Sequence, residues 1–498
     1  MSKSKYIITL SIIVIIYIIY TKTKKKIEEF DIVIVGSGLA GLISAYESLK
    51  ISNNKLKILL LERELKYGGN SYKATSGINL LNTEAQKKKN ISDSFYQFFN
   101  DTIISSKQKS NPILVSELIN DSQEIYKYFY NIGIYLTEIN ILGGHTIPRT
   151  HRPPNSPIGY TLISSLYNLL IFNGKLYFRT NSTVTEILYN EKTNSIYGLK
   201  YKKLNKDYEI KCKNIILTCG GYAHDFEEDS LLKEFTPNYM KFPSTNGNFS
   251  NGLGMKIARK INAKLIDMNY IQIHPTGFVD LNNRFDKNKF LAPELLRGVG
   301  GILINNKGER FCNELGTRDY VTKKIIENCN KVNRDDIDQY ESYLIINEKG
   351  YKDYGLNINF YYNKGLLKKY SNFKSFSEKN NINFTILNNT IFNYNEYADK
   401  GEDNFEKKIF YTKFDINSTI YVAIVTPSIH YTMGGIKINS KAEVINIKDK
   451  VIKGLFAAGE VTGGIHGANR LGGNSLLECV VYGRRAANSA YNNMKNLK

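Results

Sequence analysis

The chain is poor in the residues on which disulfide-rich, iron–sulfur and haem proteins depend. Its 498 residues include no Trp, only 10 Pro and only five Cys. The Cys form no CxxC pair and no cluster, so the sequence predicts no disulfide scaffold, no Cys-held iron–sulfur cluster, no c-type haem and no metal site. The 42% of hydrophobic residues, with 36 Tyr and 24 Phe, can form a sizeable core, which excludes a wholly disordered chain.

Acidic residues are also few relative to basic ones. The chain has 47 Asp and Glu against 67 Lys and Arg, which gives a formal net charge of +20. Nucleic-acid-binding proteins concentrate such charge on one face or one helix. Here Lys is spread along the chain among Asn, Tyr and Ile, so no nucleic-acid partner is predicted.

The chain has one long apolar run, at residues 6–20, with Lys on both flanks. As a helix this run would be about 22 Å long, shorter than the roughly 30 Å hydrocarbon core of a membrane. Interfacial Tyr and extended Lys side chains would allow it to act as a short, uncleaved signal anchor. A cleaved signal peptide is the alternative, although no small-residue cleavage site follows the run. We expect residues 1–28 to form an anchor or targeting segment.

A glycine fingerprint follows a short β-branched run and precedes a segment of helical composition. In the sequence GSGLAG, Gly36 allows the tight turn and Gly38 lets the backbone approach a pyrophosphate. Gly41 lets the helix pack closely on the strand, with the helix N-terminus facing the phosphates. A second apolar strand ends in Glu62, an acid suitably spaced for a ribose hydroxyl. The alternative is a glycine-rich turn that binds nothing.

Three further glycine-rich segments lie at residues 68–79, 215–221 and 454–460. NAD needs the first βαβ unit and little else. A flavin dinucleotide lying across a domain needs several close backbone approaches from distant parts of the chain. The distribution therefore favours FAD over NAD.

The order of the motifs resembles a known family. The chain contains, in this order, VGSGLAGL, GGNSYKATSGIN, THRP, TNG, HPTGF, LLRGVGGI, NELGTRD, TPSIHYTMGG, LFAAGEVTGG and GANRLGGNSLLECVVYGR. It is thereby similar to the soluble fumarate reductase flavoproteins, of the succinate dehydrogenase and fumarate reductase flavoprotein group, and within them to the yeast-type members. The resemblance extends from about residue 31 to residue 485 and fades between about residues 331 and 412.

This resemblance implies an α/β fold in which a Rossmann-like FAD-binding domain carries an inserted α+β capping, or clamp, domain. The FAD-binding domain would be discontinuous and comprise residues 29–269 and 429–498. The capping domain would comprise residues 270–428. We expect its Asn-, Lys- and Tyr-rich stretch at residues 331–410 to form a solvent-facing periphery.

The implied activity is FAD-dependent fumarate reduction, in which hydride from N5 of the reduced flavin and a proton from Arg318 convert fumarate to succinate. Free arginine keeps its proton above about pH 12 and should be a poor acid. The family solves this with a relay, which Glu294 and Arg297 would complete here. The resemblance also assigns the substrate-binding residues His274, His430, Arg470 and Gly473.

The cofactor-binding residues implied by the resemblance share a place in or beside the glycine-rich motifs; they are Gly36, Gly38, Leu39, Ala40, Gly41, Glu62, Gly69, Asn70, Ser71, Ser76, Gly77, Gly221, Thr245, Asn246, Glu460, Ser475 and Leu476. No His lies at residues 72–74, where covalent relatives attach the flavin, so FAD should bind noncovalently. No haem domain is predicted. His145 and His151, in a Gly- and Pro-rich loop, should be structural or cofactor-adjacent.

Several points stay open at the level of sequence. Pro293 replaces a Thr of bacterial members, and Leu253 replaces an Asp. Reduction of another unsaturated acid such as urocanate, or a tethered flavin-binding protein without turnover, are the alternatives to fumarate reduction. The electron donor would be reduced flavin or NADH. Yeast-type relatives suggest the mitochondrion or the endoplasmic reticulum.

Overall fold

The computed structural model describes residues 27–332, 334–355 and 358–496. The predicted anchor at residues 1–28 therefore lies almost wholly outside the described residues. Within the described part, no helix combines the length and the apolar character needed to cross a bilayer.

The strands, in chain order, are β1 Glu28–Val35, β2 Ile58–Leu61, β3 Ile78–Asn79, β4 Glu138–Asn140, β5 Thr150–Arg152, β6 Leu176–Arg179, β7 Ser182–Asn190, β8 Ser195–Lys203, β9 Lys206–Leu217, β10 Leu265–Ile266, β11 Ile271–Phe278, β12 Ile302–Ile304, β13 Asn330–Lys331, β14 Tyr340–Asn347, β15 Lys368–Tyr370, β16 Ile420–Thr432, β17 Gly435–Lys437, β18 Glu443–Ile445, β19 Val451–Ala457 and β20 Thr462–Gly463.

The helices are α1 Leu39–Ile51, α2 Gly69–Tyr72, α3 Glu84–Lys88, α4 Phe95–Ser105, α5 Pro112–Tyr130, α6 Ile158–Asn173, α7 Leu231–Phe235, α8 Leu253–Arg259, α9 Leu295–Gly298, α10 Arg318–Asn328, α11 Glu348–Tyr354, α12 Ile358–Asn363, α13 Phe373–Lys379, α14 Phe384–Lys400 and α15 Asn474–Asn496. Two 3-10 turns lie at Pro237–Tyr239 and Leu281–Asn283.

A parallel sheet forms the centre of the larger half of the molecule. Its parallel strands follow the order β6, β2, β1, β9 and β19, with Val33 opposite both Leu59 and Ile215. The antiparallel strands β7 and β8 extend it from β9. All four residues of β2 are buried, because a parallel sheet is covered on both faces. The predicted α/β class is confirmed.

A second, antiparallel sheet carries two of the predicted site residues. Its strand order is β11, β16, β14 and β12, with β13 beside β14 and β15 beside β16. His274 lies in β11 opposite Ser428 in β16, and His430 lies two residues further along β16. The pairing of these two strands therefore brings the two imidazoles, far apart in sequence, to one place.

The apolar core consists of three clusters. The largest takes its residues from 30–273 and 429–490. The two smaller clusters take theirs from within residues 278–425. The boundaries of the FAD-binding and capping domains stay a prediction.

The expectation of a solvent-facing periphery at residues 331–410 is wrong in part. Phe373, Phe376 and Tyr394 of this stretch are buried in the third apolar cluster, and Lys407 is also buried. Phe373 and Phe376 lie on α13 and Tyr394 lies on α14. The many Asn and Lys around them make the composition of the stretch resemble that of a surface. Local signals nevertheless delimit α14: the Asn383 side chain accepts hydrogen bonds at its start, and Gly401, with φ of +79°, ends it.

Candidate active site

The fingerprint glycines stand where a side chain has no room. Gly36 has φ of +104°, and a Cβ there would lie 2.5 Å from the Thr218 carbonyl oxygen. A Cβ on Gly41 would lie 1.9 Å from the carbonyl oxygen of Gly36. Gly38 differs, because the nearest atom to its Cβ position is Ser71 Oγ at 3.6 Å. The backbone is thus tightly packed on the protein side and open at Gly38, as a loop that admits a pyrophosphate requires.

Glu62 supports this loop. It accepts hydrogen bonds from the Ser37 amide at 2.9 Å, the Ser37 hydroxyl at 2.6 Å and the Glu64 amide at 2.9 Å. Sequence reasoning found the acid but missed Ser37, the second residue of the fingerprint. The carboxylate fixes the fingerprint turn besides standing at the end of β2, where a ribose would lie.

The segment at residues 68–79 joins the segment at 245–250. The Asn70 side-chain amide donates to Asn246 Oδ1 at 2.5 Å and to Ser250 Oγ at 2.8 Å. The Leu39 amide donates to Ser71 Oγ at 3.2 Å, which links the segment to the start of α1. Three other predicted cofactor-binding residues lie in the same segment. Gly69 begins α2, and Ser76 precedes Gly77, whose φ is +142°.

The C-terminal glycine segment approaches the same helix start. A Cβ on Gly459 would lie 3.1 Å from Ala40 Cβ and 3.2 Å from Cys479 Sγ, so this turn lies between α1 and α15. Ser475 and Leu476 occupy the first turn of α15.

The Glu460 carboxylate packs closely against the backbone of Gly221. A Cβ on Gly221 would lie 2.5 Å from its carboxylate, which accepts a hydrogen bond from the Thr432 amide at 3.0 Å. Burial raises the pKa of Glu460 to about 7. The start of α1 has neither a side-chain cap nor an acidic first turn. An open glycine loop, an uncapped helix start and a half-buried acid with few partners fit a flavin dinucleotide.

The two site histidines lie 5.1 Å apart between ring centroids. His274 Nδ1 lies 3.1 Å from the Thr276 carbonyl oxygen and 3.2 Å from the Thr276 amide nitrogen, and His430 Nδ1 lies 2.7 Å from Thr245 Oγ1. Among the described residues, His274 Nε2 is buried without a hydrogen-bond partner. Burial, reinforced by the charge of Arg318, holds the pKa of both rings well below the usual value. Both imidazoles are therefore neutral near pH 7, and His274 Nε2 is free to bind a ligand.

Arg318 and Glu294 form a buried ion pair. Arg318 Nε and Nη2 each lie 2.8 Å from Glu294 Oε2, and Arg318 Nη1 donates to Gln272 Oε1 at 2.8 Å. The Gly143 amide donates to the other Glu294 oxygen at 2.5 Å. Burial would raise the pKa of Glu294, but the charges of Arg318 and Arg297 outweigh it and lower the pKa.

Gln272 and Gly143 were missed from the sequence. Gln272 lies two residues before His274, and the two-residue repeat of a strand is the signal that could have found it. Gly143 belongs to a loop far away in sequence, so no local pattern announces its contact with Glu294.

Arg297 is 1% exposed, and its hydrogen bonding is incomplete. Its Nη1 donates to the main-chain carbonyl oxygen of Glu314, while Nε and Nη2 have no partner among the described residues. Burial lowers its pKa.

Arg470 is 2% exposed and stacks on Tyr431, with Cζ 4.3 Å from the ring centroid. Its Nε has no partner in the described structure. Burial, followed by the charge of Arg318, lowers its pKa. Gly473 is close by in the chain, and a Cβ there would lie 2.2 Å from Asn79 Oδ1.

The other two predicted histidines are held on both ring nitrogens. His145 lies between the Gly472 carbonyl at 2.9 Å and Arg149 at 3.1 Å. His151 lies between Thr83 at 2.7 Å and the Arg149 carbonyl at 2.8 Å. Their contacts are those of structural residues.

The two departures from the bacterial pattern are accommodated quietly. Pro293 is buried beside Glu294 and offers no hydroxyl. Leu253 begins α8 and packs against the largest apolar cluster.

The sheet, the glycine loop and the buried cationic site define the class of FAD-binding oxidoreductases. Residues 31–476 match the FAD binding domain family. The chain is 38% identical over 475 residues to a fumarate reductase of Schizosaccharomyces pombe, covering 93% of this chain and 89% of the relative. It is 40% identical over 479 residues to fumarate reductase 1 of Saccharomyces cerevisiae, covering 93% and 99%.

A solved structure is similar over the same length. The open conformation of a flavocytochrome c3 fumarate reductase superposes with a TM-score of 0.74 at 28% identity, covering 96% of this chain and 80% of that one. The chain belongs to the fumarate reductase family of FAD-binding flavoproteins, which confirms the resemblance, and its cofactor is FAD.

Proposed function

We propose that this chain reduces fumarate to succinate, with FAD supplying the hydride and Arg318 the proton. The observation that carries this proposal is an excess of buried positive charge. The guanidinium groups of Arg318, Arg297 and Arg470 are buried, and Glu294 is the carboxylate that interacts with all three. Glu460, the further acid near Arg470, belongs to the cofactor side.

This excess suits a small dianion. A buried charge without a partner is costly, so a site with surplus cations and unpaired N–H groups is complementary to an anionic ligand. Arg470 would hold one carboxylate with its planar fork. With His274 in the tautomer whose Nδ1 accepts from the Thr276 amide, His274 Nε2 and His430 would donate to the carboxylates as neutral rings. Gly473, which packs against Asn79, would contribute only its backbone.

The proton would pass along the buried ion pair. Arg318 donates to the substrate, and Glu294, which already accepts two N–H groups from it, returns a proton that Arg297 supplies. The lowered pKa of Arg297 makes this guanidinium a better donor than one in water. A water-excluded site strengthens each of these electrostatic interactions.

A substrate panel tests this function. The purified FAD-loaded protein is assayed anaerobically with a reduced dye against fumarate, urocanate and other unsaturated acids. We expect fumarate to give the highest kcat/KM. Higher kcat/KM with urocanate would overturn the substrate assignment, and bound FAD without any turnover would indicate a flavin-binding protein instead.

We also propose that FAD is bound noncovalently. The His151 backbone comes within 2.6 Å of a Cβ placed on Gly77, but both of its ring nitrogens are already hydrogen-bonded. Acid precipitation should release all of the FAD into the supernatant. Colour retained in the pellet would contradict this.

For the electron donor and the location we extend the expectations from sequence. Reduced free flavin is the proposed donor, with NADH as the alternative, because the chain carries no additional glycine fingerprint for a nicotinamide nucleotide. Residues 6–20 are proposed to anchor the protein in the mitochondrion or the endoplasmic reticulum. Microscopy with a tag at each end, together with protease protection, tests both the organelle and the side of the membrane.

A further inference from the structure

A second group of buried charges lies next to the proton relay and has no part in the mechanism so far. This group, the cap ionic cluster, consists of Arg310, Glu314, Asp403 and Lys407. Arg310 Nε lies 2.7 Å from Glu314 Oε1, and Lys407 Nζ lies 2.7 Å from Glu314 Oε2. Arg310 Nη2 also reaches Asp403 Oδ2 at 2.7 Å. None of the four side chains is more than 4% exposed.

The charges of the cap ionic cluster balance. Two cations face two carboxylates, and Asp403 additionally accepts from the amides of Phe405 and Lys407. Burial opposes ionisation of Glu314, but Arg310 and Lys407 outweigh it and lower its pKa to about 2. Glu314 is therefore an anion throughout the physiological range.

Glu314 is also the one described residue that accepts a hydrogen bond from the Arg297 guanidinium. Arg297 Nη1 donates to the main-chain carbonyl of Glu314, while Arg297 Nε and Nη2 have no partner among the described residues. The Glu314 side chain is fixed by Arg310 and Lys407, so the position of that carbonyl depends on the cluster.

The same loop contacts the rest of the relay. Leu315 accepts a hydrogen bond from the Gly144 amide at 3.2 Å, and the neighbouring Gly143 amide binds Glu294. Arg318 follows four residues after Glu314 and begins α10. A shift of Glu314 would therefore be felt at both arginines of the relay.

We propose that Glu314, fixed by Arg310 and Lys407, is a positioning residue for proton delivery: its carbonyl places Arg297, and the charge of its carboxylate acts on that guanidinium. The inference rests on the relay of the proposed function. The charged and titratable groups that act on Arg297 are Glu294, Arg318, Cys312, Glu314 and His274. Of these, Glu314 is the anion that does not contact Arg318.

Two variants with opposite changes of charge test the proposal. Glu314→Gln removes a negative charge near Arg297, so this guanidinium should lose its proton at lower pH. The alkaline limb of the kcat profile should then move to lower pH. Lys407→Met removes a positive charge and should move the limb to higher pH. In Glu314→Gln we expect kcat to fall about tenfold, as slight misplacement of a catalytic group does.

The fumarate KM of both variants should stay close to that of the wild type, because His274, His430 and Arg470 are untouched. The double variant, which restores the charge balance, should recover the wild-type pH profile. Lys256→Met is the matched control: Lys256 is also a buried Lys paired with a buried acid, Asp225, at 3.1 Å, and none of its ion-pair partners among the described residues belongs to the relay. This control should lose stability without any shift of the limb.

Shifts of both variants in the same direction, or no shift beyond that of Lys256→Met, would overturn the proposal. If Glu314→Gln fails to bind FAD or to fold, Lys407→Met and Lys407→Arg decide. A downward or unchanged limb in the Met variant contradicts the proposal. An upward limb in the Met variant, with wild-type behaviour of the Arg variant, supports it. Wild-type protein without fumarate reduction would refute the proposed function before any variant is compared.

Discussion

Two buried groups of charges lie side by side, and they differ in how completely they are paired. In the cap ionic cluster, Arg310 and Lys407 meet carboxylates, and positive and negative groups are equal in number. In the active site, Arg297, Arg470 and His274 keep buried nitrogens without partners among the described residues. Buried polar groups are normally hydrogen-bonded or paired. The cap ionic cluster, whose charges are paired, therefore stabilises the fold, whereas the unpaired groups of the active site are complementary to a bound ligand.

The largest expected effect comes from the unbalanced group. Arg318→Ala removes the proposed proton donor and should lower kcat by about 10³-fold or more, within the range of general acid catalysis. The FAD absorbance should remain, because the glycine loop is untouched. Steady-state kinetics with a reduced dye, beside a flavin spectrum, measures both. Retention of most of the activity would show that another group donates the proton.

Arg470→Ala should act mainly on the substrate. We expect kcat/KM for fumarate to fall about 100-fold, with a raised KM, because a buried charged hydrogen-bond donor to the dianion is lost. Lys407→Met, which removes a cation from the balanced cluster, should leave the KM within about twofold. Equal effects on KM would erase the distinction between the two groups.

Stability should respond in the reverse order. Asp403→Ala breaks a buried pair and should lower the free energy of unfolding by about 3 kcal/mol. Arg470→Met removes one of several like charges and should leave the substrate-free protein as stable as the wild type, or more so. Chemical denaturation of the FAD-loaded protein measures both, with succinate expected to stabilise the wild type but not the Arg470 variant. A large loss in Arg470→Met would mean that this cation is structurally paired.

The smallest effect, taken for one ring over one pH unit, concerns the structural histidines. Burial and the charge of Arg149 lower the pKa of His145 to about 4, and burial lowers that of His151 to about 4. In the unfolded chain these rings take up a proton below about pH 6.5. The free energy of unfolding should therefore fall between about pH 6.5 and pH 4, by about 1.4 kcal/mol per pH unit for each ring. His151→Gln should flatten this slope, as urea titrations at several pH values would show.

The glycine fingerprint region and the active site also differ in how far the sequence predicts them. The β1 strand and the α1 helix follow from a β-branched run, a glycine turn and helical composition, all within neighbouring residues. The site residues His274, His430 and Arg318 were named from motifs of a resembled family. Their roles remain predictions, while the structure places these three side chains together.

The partners that hold these residues could not be predicted in the same way. Gly143 meets Glu294 across 151 positions of sequence, and Lys407 meets Glu314 across 93. Such pairings depend on how distant segments pack, and no periodicity or motif encodes them. Residues 331–410 are an example: their Asn- and Lys-rich composition is typical of a solvent-exposed segment, although Lys407 and Tyr394 are buried.

A single-turnover experiment tests directly whether Arg318 delivers the proton to fumarate. The enzyme-bound flavin is reduced anaerobically, mixed with fumarate, and its reoxidation is followed by visible absorbance in the wild type and in Arg318→Ala. We expect rapid reoxidation in the wild type. In Arg318→Ala we expect the flavin to stay reduced, although this variant still binds fumarate. Reoxidation of the variant at the wild-type rate would contradict the claim that the buried arginine delivers the proton.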